Sequence, residues 1–475
     1  MLSRVFPFLG WFKDYNTAAF RVDAIAGITV ALVLIPQSMA YAQLAGLPAY
    51  YGLYAAFLPP LIAALFGSSH QLATGPVAIV SLMTAASLEP LATAGSASFI
   101  AYAILLALAV GLFQFCLGVL RLGLVINFLS HPVVNGFINA AALIIASSQL
   151  SKMFGVYVDK GEHHYETIIH VIEAAFHYTH WPTLLMGVGA FVVMYGLKRV
   201  NPRIPYVLVA VAAATIISWS TGFEHNWKAS LSDIQAPMVQ ENIRQFNTTV
   251  ETIKRLGEKR AQINLLIKEI KAEYGEESVE ALKARQEEEL TTVRLEAEKE
   301  KTHQLREDLR FQLFRAIDEP DGRLVFFLPD SAPTEAKDTG RAWRIKVGNT
   351  LIDENSIQMV GGGAVVGVVP PGLPRIGLPE LNMGIMLHLF GYAVIIALLG
   401  FMEAISIAKA IAAKTGQRLD PNQELIGQGL ANIIGCLGQS YPVSGSFSHS
   451  AVNLQAGAQT GMSSVFTSVM VVILL

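Results

Sequence analysis

The chain has 475 residues, of which 52% are hydrophobic and only 15% charged, with a mean hydropathy of +0.45. That excludes an ordinary soluble domain and describes a polytopic membrane protein. The formal net charge of -3 says little about partners, because the charges crowd into one insertion and a few short loops. Nothing favours nucleic-acid binding, and Cys116 and Cys436 fall in apolar segments, without a disulfide or metal-ligand pattern.

Residues 1–23 mix aromatic and basic side chains and are expected to lie along the membrane interface. A cleavable leader is not expected, since the apolar run that follows is a full span. Spans are predicted at 24–46, 50–66, 76–92, 97–120, 124–148, 182–197 and 204–221, several near the ~20 residues a crossing helix needs. Arg121, the group Lys198, Arg199 and Arg203, and later Lys409, Lys414 and Arg418 all fall on the side of the basic N-terminus. The positive-inside rule makes that side cytoplasmic. The loop 151–181 is then outside; its His163, His164, His170, His177 and His180 match no ligand spacing, and a half-helical solvated loop is expected.

After the seventh span the composition turns densely charged. Val239, Ile243, Phe246, Val250 and Ile253 are spaced as in a coiled-coil seam, which resumes at Ile263, Ile267 and Ile270. Around Gly275 the pattern breaks, then continues through Val279, Leu282, Leu290, Val293, Leu305 and Leu309. A helical hairpin over 238–317 is predicted, followed by a few short strands, so that the chain divides into 1–223, an inserted extramembrane region 224–360, and 361–475. The glycines at 361–363 and 367 lead into Pro370, Pro371 and Pro374 and lack dinucleotide-binding spacing. Apolar sequence resumes over 384–413, 424–437 and 461–475, a region less than half as long as the first, and further spans are expected beyond it.

Two polar, Gly/Pro-broken stretches interrupt this lipid-embedded sequence: 68–83, SSHQLATGPVAIVSLM, and 438–453, GQSYPVSGSFSHSAVN. Non-helical backbone at membrane depth survives only where protein buries it or it lines a wet cavity. Each stretch is predicted as an extended lead-in through Pro76 or Pro442 followed by a half-helix, whose free N–H groups and positive dipole end suit an anion. Gln37 precedes Pro76 by 39 residues and the lone acid Glu403 precedes Pro442 by the same interval, as in an internal duplication.

The stretch DAIAGITVALVLIPQSMAYAQLAGLPAYYGLYAAFLPPLIAALFGSS from Asp23, with TGPVAIVSLM from Thr74, SHPVVNGF from Ser130, PPGLP from Pro370, LDPNQELIGQGLANIIG from Leu419 and YPVSGSFSHSAVN from Tyr441, closely resembles the sulfate permease (SulP) family of anion transporters. The resemblance covers about 8–222 and 361–475, not the insertion. It implies an all-α polytopic membrane protein with a seven-plus-seven inverted-repeat transporter fold, core and gate domains, and two half-helices preceded by short strands. This chain would hold repeat one and the first four segments of repeat two; a C-terminal STAS domain is usual in the family.

The resemblance also implies an anion site between the N-termini of segments three and ten, at the backbone of Val77, Ala78, Phe447 and Ser448, closed by Gln37 and Tyr41. The amide of Gln37 and the hydroxyls of Tyr41 and Ser448 are donors that suit an oxyanion. Glu403, an intramembrane acid, is the expected proton carrier. Related bicarbonate transporters use an acid there in a sodium site with a hydroxyl one turn later, where this chain has Ile407. Most members have arginine at His449, so a titratable group is expected to replace a permanent charge at the pocket.

The expected protein is a secondary active transporter of small inorganic anions, sulfate, bicarbonate or a similar oxyanion, proton-coupled or exchanging. It is not an enzyme and needs no cofactor or metal. Its expected partners are the anion, a proton, the lipid bilayer of a bacterial inner membrane, a second copy of the chain and a protein docked on the hairpin. A membrane-anchored sensor presenting the hairpin is a competing reading. A nucleobase permease is another, although it calls for a second carboxylate beside the pocket, which is absent.

Overall fold

The computed structural model describes residues 6–475 except 14, 93, 124–130, 157, 159–163, 202–205, 276, 277, 320, 321, 332–337, 349, 364–368 and 380. Ser130, His163, Arg203, Gly367 and the starts of the spans expected at 124 and 204 lie outside the described residues. Helix α1 (Thr17–Leu44) begins earlier than its apolar run, because Asn16 caps it by accepting from the Ala19 N–H at 2.9 Å. The predicted second span is two helices, α2 (Tyr50–Tyr54) and α3 (Leu58–Phe66). Pro59 and Pro60 in the first turn of α3 lack the N–H groups that would bond back across the join, so the helix restarts there. Strand β1 (Thr74–Gly75) leads into the short helix α4 (Ala78–Leu88), and α5 (Ala97–Val119) and α6 (His131–Ser148) follow.

The small helix α7 (Leu150–Phe154) precedes α8 (His164–Tyr178), which occupies the histidine-bearing loop; α9 (Trp181–Val200) and α10 (Tyr206–Thr221) complete the first apolar region. Then come β2 (Asn226–Ala229), the long helices α11 (Pro237–Tyr274) and α12 (Val279–Phe311), and strands β3 (Phe314–Asp318), β4 (Leu324–Phe327), β5 (Asp338–Ile345) and β6 (Ile357–Val360). The second apolar region holds α13 (Met383–Thr415), α14 (Pro421–Leu437), β7 (Ser444–Gly445), α15 (Phe447–Gln455) and α16 (Met462–Leu474). Among the described residues, α1, α5, α9 and α13 are long and apolar enough to cross a membrane, and shorter apolar helices accompany them.

The chain divides into two units, one of 1–148, 189–213 and 366–475, the other of 149–188 and 214–365. In the first, glycines let helices touch backbone to backbone. A Cβ on Gly429 of α14 would lie 2.5 Å from the Phe115 nitrogen of α5, and one on Gly111 would lie 2.8 Å from the Gly429 oxygen. On another face of α14, a Cβ on Gly427 would lie 2.6 Å from the Gly67 Cα. Close backbone approach of this kind is how helices associate where lipid removes the hydrophobic drive. The core of the unit gathers Tyr51, Tyr54, Val80, Phe99, Leu106, Leu389, Ile396 and Tyr441.

In the second unit, five strands form a sheet in the order β2-β6-β5-β3-β4, all paired antiparallel. Its core joins Phe314, Phe326, Trp343 and Met359 to Val239, Ile243 and Phe246 of α11 and to Leu305 and Leu309 of α12. Lys259 reaches Glu287 at 2.7 Å further along, so the two helices run antiparallel. The first arm's seam is buried at the predicted Val239, Ile243 and Phe246, but the second arm's is not the predicted one. Val279, Leu282, Leu290 and Val293 are exposed, while Ala281, Ala284, Thr291, Leu295 and Thr302 are buried ahead of Leu305 and Leu309. Small side chains line the contact, where hydrophobicity alone favours the leucines of the other face.

Candidate functional site

The two interrupted stretches meet. Strands β1 and β7 pair antiparallel, Thr74 opposite Gly445 and Gly75 opposite Ser444. The Ser446 N–H donates to the Ala73 carbonyl at 2.8 Å, and the Ala73 N–H donates to Ser450 Oγ at 2.9 Å. In chain order Thr74-Gly75 stands before α4 as Ser444-Gly445 stands before α15, so Pro76 corresponds to Ser446 and not to Pro442. The equal 39-residue intervals therefore do not mark structurally matching points. Gly445 is required where it stands, since a Cβ there would lie 2.8 Å from the Ala404 Cβ on α13.

Polar side chains from distant segments satisfy the broken backbone. Asn432 of α14 accepts from the Val443 N–H at 2.9 Å and donates to the Val443 carbonyl at 3.1 Å. Ser444 Oγ donates to the Gly400 carbonyl at 2.6 Å, and Asn453 Nδ2 to the Gln71 carbonyl at 3.1 Å. Glu424, 2% exposed, accepts on Oε2 from the N–H groups of Ser68 and Ser69 at 2.9 and 3.0 Å. Asp23, fully buried at the start of α1, accepts from the Gln459 N–H at 2.7 Å and the Thr460 hydroxyl at 2.6 Å. Irregular backbone at membrane depth demands pairing of this kind.

At the junction the short helices α4 and α15 begin. Val77 is the N-cap of α4 and no side chain caps that end; Ser446 caps α15, accepting from the His449 N–H at 3.4 Å. Orphan N–H groups and aligned peptide dipoles give each end partial positive character. Gln37 follows Pro36 inside α1, and Tyr41 stands one turn on, on the same face. Ser448 Oγ donates to Gln37 Oε1 at 3.3 Å, and His449 Nε2 lies 2.8 Å from the same oxygen.

Gln37, Ser448 and His449 are thus brought together beside the helix ends. Phe447 contributes backbone there while its side chain is 69% exposed. His449 is fully buried, and its ring contact is the amide of Gln37. Glu403 lies on α13 between Gly400, whose carbonyl accepts from Ser444 Oγ, and Ala404, which abuts Gly445; its Oε2 is buried without a hydrogen bond. Ile407, one turn further, is buried and apolar.

Sequence reading overlooked Tyr441, fully buried with its hydroxyl 3.2 Å from Ser81 Oγ of α4, and the supporting Asn432, Glu424 and Asp23. Each is a polar residue in or beside an apolar run, the same signal that singled out Gln37 and Glu403. Among the described residues the assembly offers N–H and O–H donors from several segments and, beside the helix ends, the carboxyl of Glu403.

The chain matches the Sulfate permease family over residues 20–268 and 346–475. It is 29% identical over 471 residues to Sulfate transporter 4.1, chloroplastic, of Arabidopsis thaliana, covering 99% of this chain and 50% of that protein. The chain spans about half the length of the Arabidopsis relatives it matches. Its fold is similar to that of the transmembrane domain of a cyanobacterium bicarbonate transporter, with TM-score 0.61, 17% identity and coverage of 97% of this chain and 82% of that one. A murine Solute Carrier 26 family member A9 anion transporter in the inward-facing state superposes with TM-score 0.62 and 19% identity over 99% of this chain and 59% of that one. At these identities the two likenesses are likenesses of fold, that of a mostly helical, multi-pass membrane protein. With a family match over most of its length, the chain belongs to the sulfate permease family, a family of transporters and not of enzymes.

Proposed function

We propose that the protein carries small inorganic anions, sulfate, bicarbonate or a similar oxyanion, by secondary active transport. The anion is held between the N-termini of α4 and α15, by the backbone at Val77, Ala78, Phe447 and Ser448 and the side chains of Gln37, Tyr41 and Ser448, with His449 behind Gln37. The observation that carries this reading is the β1–β7 pairing, which draws together two helix N-termini, one of them without a side-chain cap, next to a polar side chain of α1. Backbone N–H groups at a helix start are a ready anion site, and they discriminate by charge more than by shape. The relatives' names point the same way, one a sulfate and one a bicarbonate transporter.

Glu403 serves as the proton-coupling group: it stands next to Ala404, which packs on Gly445 of β7, its Oε2 is buried without a hydrogen bond, and Ile407 withholds the hydroxyl that a sodium site would use. The described membrane segments form part of a seven-plus-seven inverted repeat that works by alternating access, in a homodimer, with the basic loops cytoplasmic. Residues 224–360 then stand outside as an inserted domain, and the helix pair α11–α12 offers a surface to a protein partner. Uptake of radiolabelled sulfate, bicarbonate and chloride into liposomes holding the protein tests the reading. At least one should accumulate above empty liposomes and be lost in Gln37→Ala; no uptake of any, with insertion verified by protease protection, would overturn it.

A further inference from the structure

We propose that His449 is a positioning residue, which fixes the amide of Gln37 so that its Nε2 end is the one offered to the anion. The inference rests on the anion site proposed above and assigns a task inside it. Two groups of α15 converge on Gln37 Oε1, His449 Nε2 at 2.8 Å and Ser448 Oγ at 3.3 Å. His449 has no exposed surface, so it reaches a ligand only through what it touches.

A primary amide can be turned end for end, and an imidazole carries its proton on either nitrogen, so the contact has two self-consistent forms. In one, the imidazole Nε2–H donates to Gln37 Oε1, the Ser448 hydroxyl being a second donor there until a bound anion draws its single proton, and Nδ1 of His449 is left as a bare acceptor. In the other, Gln37 donates through its NH2 group and the imidazole proton sits on Nδ1, which is buried without a hydrogen-bond partner. A buried N–H without an acceptor is the rarer and costlier orphan. A doubly protonated ring would bury that same orphan N–H, with a charge added. The first form wins, and it points both hydrogens of Gln37 Nε2 away from α15. Gln37 then presents only donors to a ligand whose oxygens only accept. Were the amide to turn, its carbonyl oxygen would face the anion, and the attraction would become repulsion.

The test is a double-mutant cycle on sulfate binding to the purified protein, with His449→Phe, which fills the space without a donor, and Gln37→Ala. His449→Phe should weaken sulfate binding about tenfold, the scale of one hydrogen bond to a charged group. In the Gln37→Ala background it should change affinity less than about twofold, because the amide it orients is gone. His449→Gln, which keeps a donor for Oε1, should recover most of the loss. Equal losses from His449→Phe in both backgrounds would overturn the proposal, as would failure of His449→Gln to recover affinity in protein that remains monodisperse. Should His449→Phe not fold, His449→Met closes the same cycle. Wild type that binds neither sulfate nor bicarbonate would overturn the site itself. Wild type that binds sulfate with Gln37→Ala unaffected would overturn the task given to His449 while leaving the helix ends as the site.

Discussion

Glu424 offers a sharp test of how the broken stretch 68–83 is held. Its Oε2 takes the backbone N–H groups of Ser68 and Ser69 and, at 3.1 Å, the Ser68 hydroxyl, while Oε1 lies 3.4 Å from Gln428 Nε2. Gly67 keeps the loop close, since a Cβ there would lie 2.6 Å from the Ala63 carbonyl and 3.2 Å from Glu424 Oε1. Truncation in Glu424→Ala strands two N–H donors at a site where the lost acceptor was 2% exposed. At about 1–3 kcal/mol for each unmade bond, the loss is about 2–6 kcal/mol. Glu424→Gln keeps one oxygen for both N–H groups, and its new NH2 group is matched once Gln428 turns to bring its unpartnered Oε1 where Nε2 now stands. That substitution gives up only charge assistance, on the order of 1 kcal/mol. The assay is the temperature at which the monodisperse fraction in detergent halves, compared at one heating rate because membrane-protein unfolding is often irreversible. Glu424→Gln should lower it by about 2–4 °C, and Glu424→Ala by at least about twice as much. Equal shifts for the two variants would show that the carboxylate does not hold this backbone, and the account of how stretch 68–83 is satisfied would fall.

Glu403→Gln should leave sulfate binding within about threefold of wild type while abolishing the acceleration of uptake by an inward proton gradient, because the isostere hydrogen-bonds but cannot ionise; gradient-driven uptake at the wild-type rate removes Glu403 from coupling. Gly429→Ala should cost about 1–3 kcal/mol by forcing α5 and α14 apart, whereas Gly391→Ala, with open space around its Cβ, should cost nothing, as thermal midpoints of the pair will tell. Replacing 260–286 by a short Gly/Ser linker should leave thermal stability and uptake unchanged, since Lys259 and Glu287 already face each other at the cut. In the same unit Phe246→Ala should cost about 3–5 kcal/mol, because its ring is fully buried against the sheet; a reversed order of these two effects would mean that the outer hairpin, not the sheet, organises the unit.

The candidate site was legible in the sequence where polarity and chain-breaking residues stand out against an apolar background. Gln37 and Glu403 could be singled out for that reason and Ser448 only through the family resemblance, and the structure sets Gln37 against Ser448 and His449. What could not be read is the register, because proline is the more conspicuous punctuation while the pairing follows the less conspicuous Thr74-Gly75 and Ser444-Gly445. Nor could the support be read. Asn432 and Glu424 sit in a helix whose role looks like ordinary packing, and what they satisfy is backbone hundreds of residues away in the case of Glu424 and a strand lead-in in the case of Asn432. In the second arm Leu305 and Leu309 are buried as expected but Val279, Leu282, Leu290 and Val293 are not, for a related reason: hydrophobicity marks what can be buried, but the helix contact selected Ala281, Ala284 and Thr291 for their size.

These misses share a cause that bears on function. A residue that touches a ligand must differ from its neighbours and so is visible in one sequence, whereas a residue that holds such a residue need only match a partner elsewhere in the chain. His449 belongs to the second kind although its position in the motif suggests the first: it is fully buried and its bond is to Gln37. The chemistry of its ring therefore acts through geometry, by deciding which end of an amide faces outward. An imidazole and an arginine at this position are then different devices, since a guanidinium brings a charge to the pocket, while this histidine spends its one paired nitrogen on aiming another residue's donors.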